Sequence, residues 1–303
     1  MDNLVAFLLS CCTRRTIQAA PTSSVSTGIT PSATPPRPRT PTQPYPTPDY
    51  LYIITMQEAE ECLSTIQDGA VIGLDIESIQ SAGPKLSKAQ KRTQLAAQIS
   101  TKGSFEIDWS QVDICLVQIA TEDGRVYMIN IRLIAELPAQ LRRICESRNI
   151  LKVSAGIFSD GQRLWDSFRL DLMSVVSLGL VARLAYPTTL LPGMPFANEP
   201  GLAVIVGHVL GYRLSKDQQT STWDAASLSD EQKNYAAIDA HATLSAFCAM
   251  YALLQRCEVP VLPAWYTYDI RDRARVKCGT AEAWVAHCSW WSEDVSKGFE
   301  ARR

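Results

Sequence analysis

No stretch of this 303-residue chain runs to about 18 consecutive apolar residues, which argues against a membrane-spanning helix. There is no excess of one charge either. A net charge of −2 and a pI near 6.0 do not fit a protein that coats nucleic acid by general electrostatics. An enzyme gripping a few nucleotides at one end needs no such excess. Paired cysteine spacings are missing: nine cysteines, an odd number, lie scattered apart from Cys11-Cys12. That usage points to a reducing compartment and away from a disulfide framework. A secretory leader is not expected either, because the short apolar segment at 4–9 follows Asp2 and precedes Arg14 and Arg15, the reverse of the usual order. Its Arg, Ser and Thr bias permits a mitochondrial presequence. The expected location is therefore intracellular, in the nucleus or cytoplasm, with the mitochondrion as the alternative.

What is present is a core-forming majority behind a different kind of tail. Hydrophobic residues make up 46% of the chain, enough for one large domain with extensions or two small ones. Nine of the 17 prolines fall between Pro21 and Pro48 among Thr and Ser, so residues 1–48 read as a disordered tail. Order is expected from about Tyr50. Strands are expected at 51–54, 71–77, 114–119, 125–131 and 151–153, and helices at 56–66, 138–148, 161–168, 173–184, 202–210 and 230–255. Strands first and mostly helices later, with crossovers between, argue for an α/β domain with a central sheet.

Two regions fall outside this pattern. An insertion at about 79–109 is long for a connection and holds Lys85, Lys88, Lys91, Arg92 and Lys102. It reads as a basic arm for a phosphate backbone or as a solvated helix face. The extension 257–303 carries Cys278, His287 and Cys288 with Trp284, Trp290 and Trp291. Its spacing does not fit a structural zinc site, so packing or interaction is the better reading.

The chemistry concentrates in acids. The strand at 71–77 ends on Asp75 and Glu77, which share a face because side chains alternate along a strand. Two neighbouring carboxylates repel unless a cation sits between them. Tyr235 and Asp239 lie four apart, on one face of a helix opened by a Ser229–Gln232 capping box. Asp160 follows a strand and a small-residue turn, at or near a helix start. Taken singly, Asp75 and Glu77 read as surface or capping acids, Asp160 as a helix cap and Tyr235 as core. His208 and His241 read as ordinary helix residues.

Three ordered motifs carry a resemblance: Leu74-Asp75-Ile76-Glu77; Lys152, Gly156-Ile157, Asp160 and Leu164; and 228–240 with Tyr235 and Asp239. Residues 115–120 and the 210–223 segment, from Leu210-Gly211 to Thr222-Trp223, flank them. Over about 50–256 the chain resembles the DEDD superfamily of 3′–5′ exonucleases, in the tyrosine-bearing branch that includes RNase D and the Werner-syndrome helicase exonuclease domain. The histidine branch would place His where Asn234 stands. Ser154, Thr222 and Ser78 depart from the usual pattern without removing an acid. The resemblance implies an RNase H-like fold, a five-stranded mixed central sheet flanked by helices, occupying 49–256. It implies two divalent cations, Mg²⁺ or Mn²⁺, held by Asp75, Glu77, Asp160 and Asp239. Asp75 would bridge both, and Tyr235 would orient or help deprotonate the attacking water. The implied partner is a nucleic-acid 3′ end, DNA or RNA, hydrolysed to nucleoside 5′-monophosphates, with no membrane involved. The alternative is a catalytically silent nucleic-acid- or protein-binding module on the same fold.

Overall fold

The computed structural model describes residues 41, 43–79, 107, 112–186, 190, 199–256 and 266–270. The readings of the tail before Pro41, of most of the insertion and of most of the C-terminal extension lie outside the described residues.

The elements run β1 (Gln43–Pro44), β2 (Asp49–Ile53), α1 (Met56–Ser64), β3 (Val71–Ser78), β4 (Ile114–Ala120), β5 (Arg125–Asn130), α2 (Ile131–Ile134) and α3 (Ala139–Glu146). They continue with β6 (Leu151–Ser154), α4 (Ile157–Phe168), β7 (Val175–Ser177), α5 (Leu178–Ala185), α6 (Leu202–Val209), β8 (Tyr212–Arg213), α7 (Asp230–Leu254) and β9 (Thr267–Tyr268). The main sheet has the order β2-β5-β4-β3-β6-β7-β9, with β3–β4, β4–β5 and β7–β9 antiparallel and the other pairs parallel. It is the mixed sheet expected, but it has seven strands where five were anticipated. The five are β2 to β6. β7 and β9 are the additions.

The sixth strand was hidden inside the expected helix 173–184. Ser174 takes a left-handed conformation (φ 48°), and the β-branched pair Val175-Val176 enters the sheet before the helix begins at Leu178. β9 then pairs with β7 from the extension. At the other end, β1 pairs with β8, and the buried Tyr45 hydroxyl lies 2.8 Å from His241 Nδ1 and donates to Ser245 Oγ at 3.0 Å. Packing thus starts before residue 49, inside the segment that composition assigns to the tail.

The sheet separates two apolar layers. On one face Val71, Leu116, Ala120, Val126, Met128 and Val153 pack with α5, α6 and α7. On the other Ile72, Leu74, Ile76, Val117, Ile119 and Ile129 pack with α1, α3 and α4. By length and composition α7 could cross a bilayer, but its apolar window is mostly buried in this fold. It lies very close to the sheet at Gly73, where a Cβ would collide with the Ala240 carbonyl oxygen and stand 3.1 Å from Leu244 Cβ. Only glycine admits the helix at that depth.

Candidate active site

Three elements bring the acids together. Alternation along β3 puts Asp75 and Glu77 on the α7 face, in line with Val71 and Gly73. β6 stops at Ser154, and its register with β3 runs only from Val71 to Gly73, so the last residues of β3 have no strand on that side. The chain turns there through Gly156 (φ 85°) into α4, whose first turn contains Asp160. A carboxylate in a first helical turn is favoured by the helix dipole. From the opposite layer α7 contributes Asp239 and, one turn earlier, Tyr235, whose hydroxyl hydrogen-bonds the Asp239 carboxylate. The capping box opens that helix as expected: Ser229 Oγ accepts from Gln232 N–H at 3.2 Å and Gln232 Oε1 from Ser229 N–H at 2.9 Å. The Trp223 ring packs against Tyr235 with centroids 6.1 Å apart.

All five residues singled out in the sequence interact electrostatically. Burial, then the charges of Glu77, Asp239 and Asp160, hold the Asp75 carboxyl well above the usual carboxylate range. Burial with Asp239 and Asp160 pushes Glu77 up to about 9. Burial raises Asp160 to about 7 against the opposing charge of Arg163. It raises Asp239 to about 6 although the Tyr235 hydrogen bond and Lys216 pull the other way. Burial, followed by the Asp239 charge, also drives the Tyr235 hydroxyl far up, so that the phenol keeps its proton. The cluster is an accumulation of buried carboxyl groups, favoured in their neutral form, whose mutual repulsion when ionised Arg163 and Lys216 offset only in part.

Among the described residues no three Asp, Glu, His or Cys side chains stand close enough together to hold a metal ion as they are placed. The donor set still selects a class of cation. It is carboxylate oxygen without thiolate or imidazole, which suits hard divalent ions, and added positive charge would relieve the mutual repulsion. The two described histidines have other partners: His241 meets Tyr45, and His208 meets Tyr186 edge to face at 4.7 Å between centroids.

Two basic residues at the site were not given roles from the sequence. Arg163 bonds Ser78 Oγ and pairs with Asp113 Oδ2 at 3.1 Å, tying α4 to the end of β3 beside Asp160. Its position three residues after Asp160 was a usable signal. Lys216, whose charge acts on Asp239, sits in the 210–223 segment and offers no local signal of that kind.

Comparison with known proteins identifies the family and the fold. The mouse bifunctional 3′–5′ exonuclease/ATP-dependent helicase WRN is 28% identical over 188 residues, covering 61% of this chain and 11% of that protein. The human exonuclease mut-7 homolog is 28% identical over 169 residues, covering 48% of this chain and 19% of that one. The chain thus corresponds to a small part of each relative. The crystal structure of the Aedes aegypti Nibbler EXO domain superposes with a TM-score of 0.52 at 20% identity, over 79% of this chain and 99% of that one, a likeness of fold. The family model for the 3′–5′ exonuclease domain matches residues 50–255, and on that match, which takes in every acid of the cluster, the chain belongs to the 3′–5′ exonuclease family.

Proposed function

We propose that the chain is an active, metal-dependent 3′–5′ exonuclease of the tyrosine-bearing DEDD branch, cutting phosphodiester bonds from a nucleic-acid 3′ end and releasing nucleoside 5′-monophosphates. One observation carries the reading: four acids from three separate elements, with a protonated phenol, meet at the end of β3. Asp75, Glu77 and Asp239 would hold one divalent cation, and Asp75 with Asp160 a second. When bound, paired Mg²⁺ or Mn²⁺ supply charge neutralisation at the reacting phosphate and acidity to the attacking water. Tyr235 stays protonated beside Asp239, so its part is to orient the water and not to act as base. Arg163 holds Asp160 against the strand end, and Gly73 sets how close Asp239 comes.

The test is the full chain with 5′-labelled DNA and RNA oligonucleotides, in Mg²⁺ or in EDTA, beside Asp75→Asn. A ladder shortening from the 3′ end, seen only with metal and only in the wild type, with mononucleotide 5′-phosphates as product, is the expected result. Binding without cleavage under Mg²⁺ and Mn²⁺ alike would replace this reading with the silent binding module. The DNA and RNA arms read the substrate directly.

A further inference from the structure

Gln118 of β4 stands opposite Asp75 in the antiparallel β3–β4 register. Residues paired in this way share a face, with Cβ atoms roughly 4.5–5.5 Å apart. The remaining same-face neighbours of Gln118 in the sheet are Leu116 and Ala120 along its own strand and Met128 on β5. Above them lies α7 with Ala236, Ala237 and Ala240 buried in the same cluster. Gln118 is fully buried, and neither its Nε2 nor its Oε1 has a hydrogen-bond partner among the described residues. A carboxamide offers two donors and two lone pairs, and burying one unmet costs about 1–3 kcal/mol. Leucine or methionine would fill this place without that cost. The side chain across from it is the carboxylate at the centre of the acid cluster.

We propose that Gln118 is a positioning residue for Asp75: unmet as it stands, its Nε2–H group would donate to one Asp75 oxygen once a cation is bound and leave the other facing that cation. The assignment rests on the exonuclease reading and adds to it a residue that the acid motifs do not contain. Groups that hold a metal ligand in this way typically change metal affinity about 10–100-fold when removed.

The test separates folding from metal uptake. Mn²⁺ is titrated calorimetrically into the full-length wild type, Gln118→Met and Gln118→Glu, and each protein is melted in EDTA. Gln118→Met is expected to melt at or above the wild-type temperature, because an unmet polar group has gone, while Mn²⁺ affinity drops about tenfold or more. Gln118→Glu, which adds a fifth acid and so more attraction for a cation, is expected to bind Mn²⁺ more tightly than Gln118→Met. Mn²⁺ affinity in Gln118→Met within twofold of wild type overturns the proposal, and so does a Gln118→Met protein that fails to fold or melts well below wild type. A wild type that takes up no Mn²⁺ overturns the exonuclease reading and this inference together, so the two failures are told apart.

Discussion

One strand of this protein serves two opposed purposes on its two faces. Toward α1, α3 and α4, β3 turns Ile72, Leu74 and Ile76, each no more than 8% exposed, into an uninterrupted apolar layer. Toward α7 it turns Gly73, Asp75 and Glu77, where every acid is held away from its charged form by burial and by its neighbours. Each apolar side chain on the first face contributes about 1.5–3 kcal/mol by leaving water. The second face subtracts from that. A period of two lets six consecutive residues do both, because the stabilising and the destabilising sets never share a side. The lesson is a division of labour: the apolar face offsets the cost of holding acids in readiness on the other.

The largest expected effects break this division one residue at a time. Asp75→Asn should cut exonuclease turnover about a thousandfold or more, some ~4 kcal/mol of barrier, while melting in EDTA stays level or rises. Leu74→Ala, its immediate neighbour, should lose about 2–5 kcal/mol of stability with turnover per folded molecule little changed. Equal losses of stability in the two variants, read by urea denaturation, would refute the division. Gly73→Ala joins the faces. Its methyl group has no room beneath Ala240 and Leu244, so α7 must lift, at about 1–3 kcal/mol, and Tyr235 and Asp239 move with it. Stability and turnover should therefore fall together, unlike in either single-face variant.

A pH series sharpens the same contrast. Folded Asp239, Asp160 and Glu77 titrate near about 6, 7 and 9, whereas free carboxyls titrate near ~4. Between those limits the folded chain binds more protons than the unfolded one, so the cluster's contribution is fully present below ~4 and is lost as pH rises through the folded values. Melting in EDTA should therefore decline from weakly acid to about pH 9. Saturating Mg²⁺ should oppose that decline by binding only the folded state. Glu77→Gln should flatten its upper part. Leu74→Ala should lower the whole curve without changing its slope.

The sequence made the acid face more legible than the edges of the sheet. Asp75, Glu77, Tyr235 and Asp239 announce themselves by spacings of two and four, which local geometry turns directly into shared faces. The Ser229–Gln232 box fixed where their helix begins. Asp160 was visible through the glycine turn before it. What escaped depends on contacts between distant segments. Val175–Ser177 is too short to outweigh the helical pattern that follows it, and pairing with β6 and β9 decides its state. Lys216 reaches Asp239 only through the folded chain. Gln118 reads as one residue of a buried strand until the register places it across from Asp75. Composition also set the tail boundary at residue 48, because proline content says nothing of a single aromatic that finds a pocket.

That aromatic gives the smallest effect, and it tests whether the back of α7 matters to its acid side. Tyr45 packs edge to face on Tyr212 at 5.3 Å and reaches His241 and Ser245, two residues and six residues beyond Asp239. Tyr45→Phe keeps the ring and removes only the hydroxyl, so about 0.5–1.5 kcal/mol of stability should go. Turnover under saturating Mg²⁺ should stay within twofold of wild type, since Gly73 and the capping box still seat the helix. Removing residues 1–48 takes away the ring and β1 as well, and should cost more, about 3–5 kcal/mol, the scale of deleting a large buried aromatic. Should Tyr45→Phe instead depress turnover tenfold while stability barely moves, the segment around Tyr45 would belong to the acid face, and α7 would couple the two ends of its length.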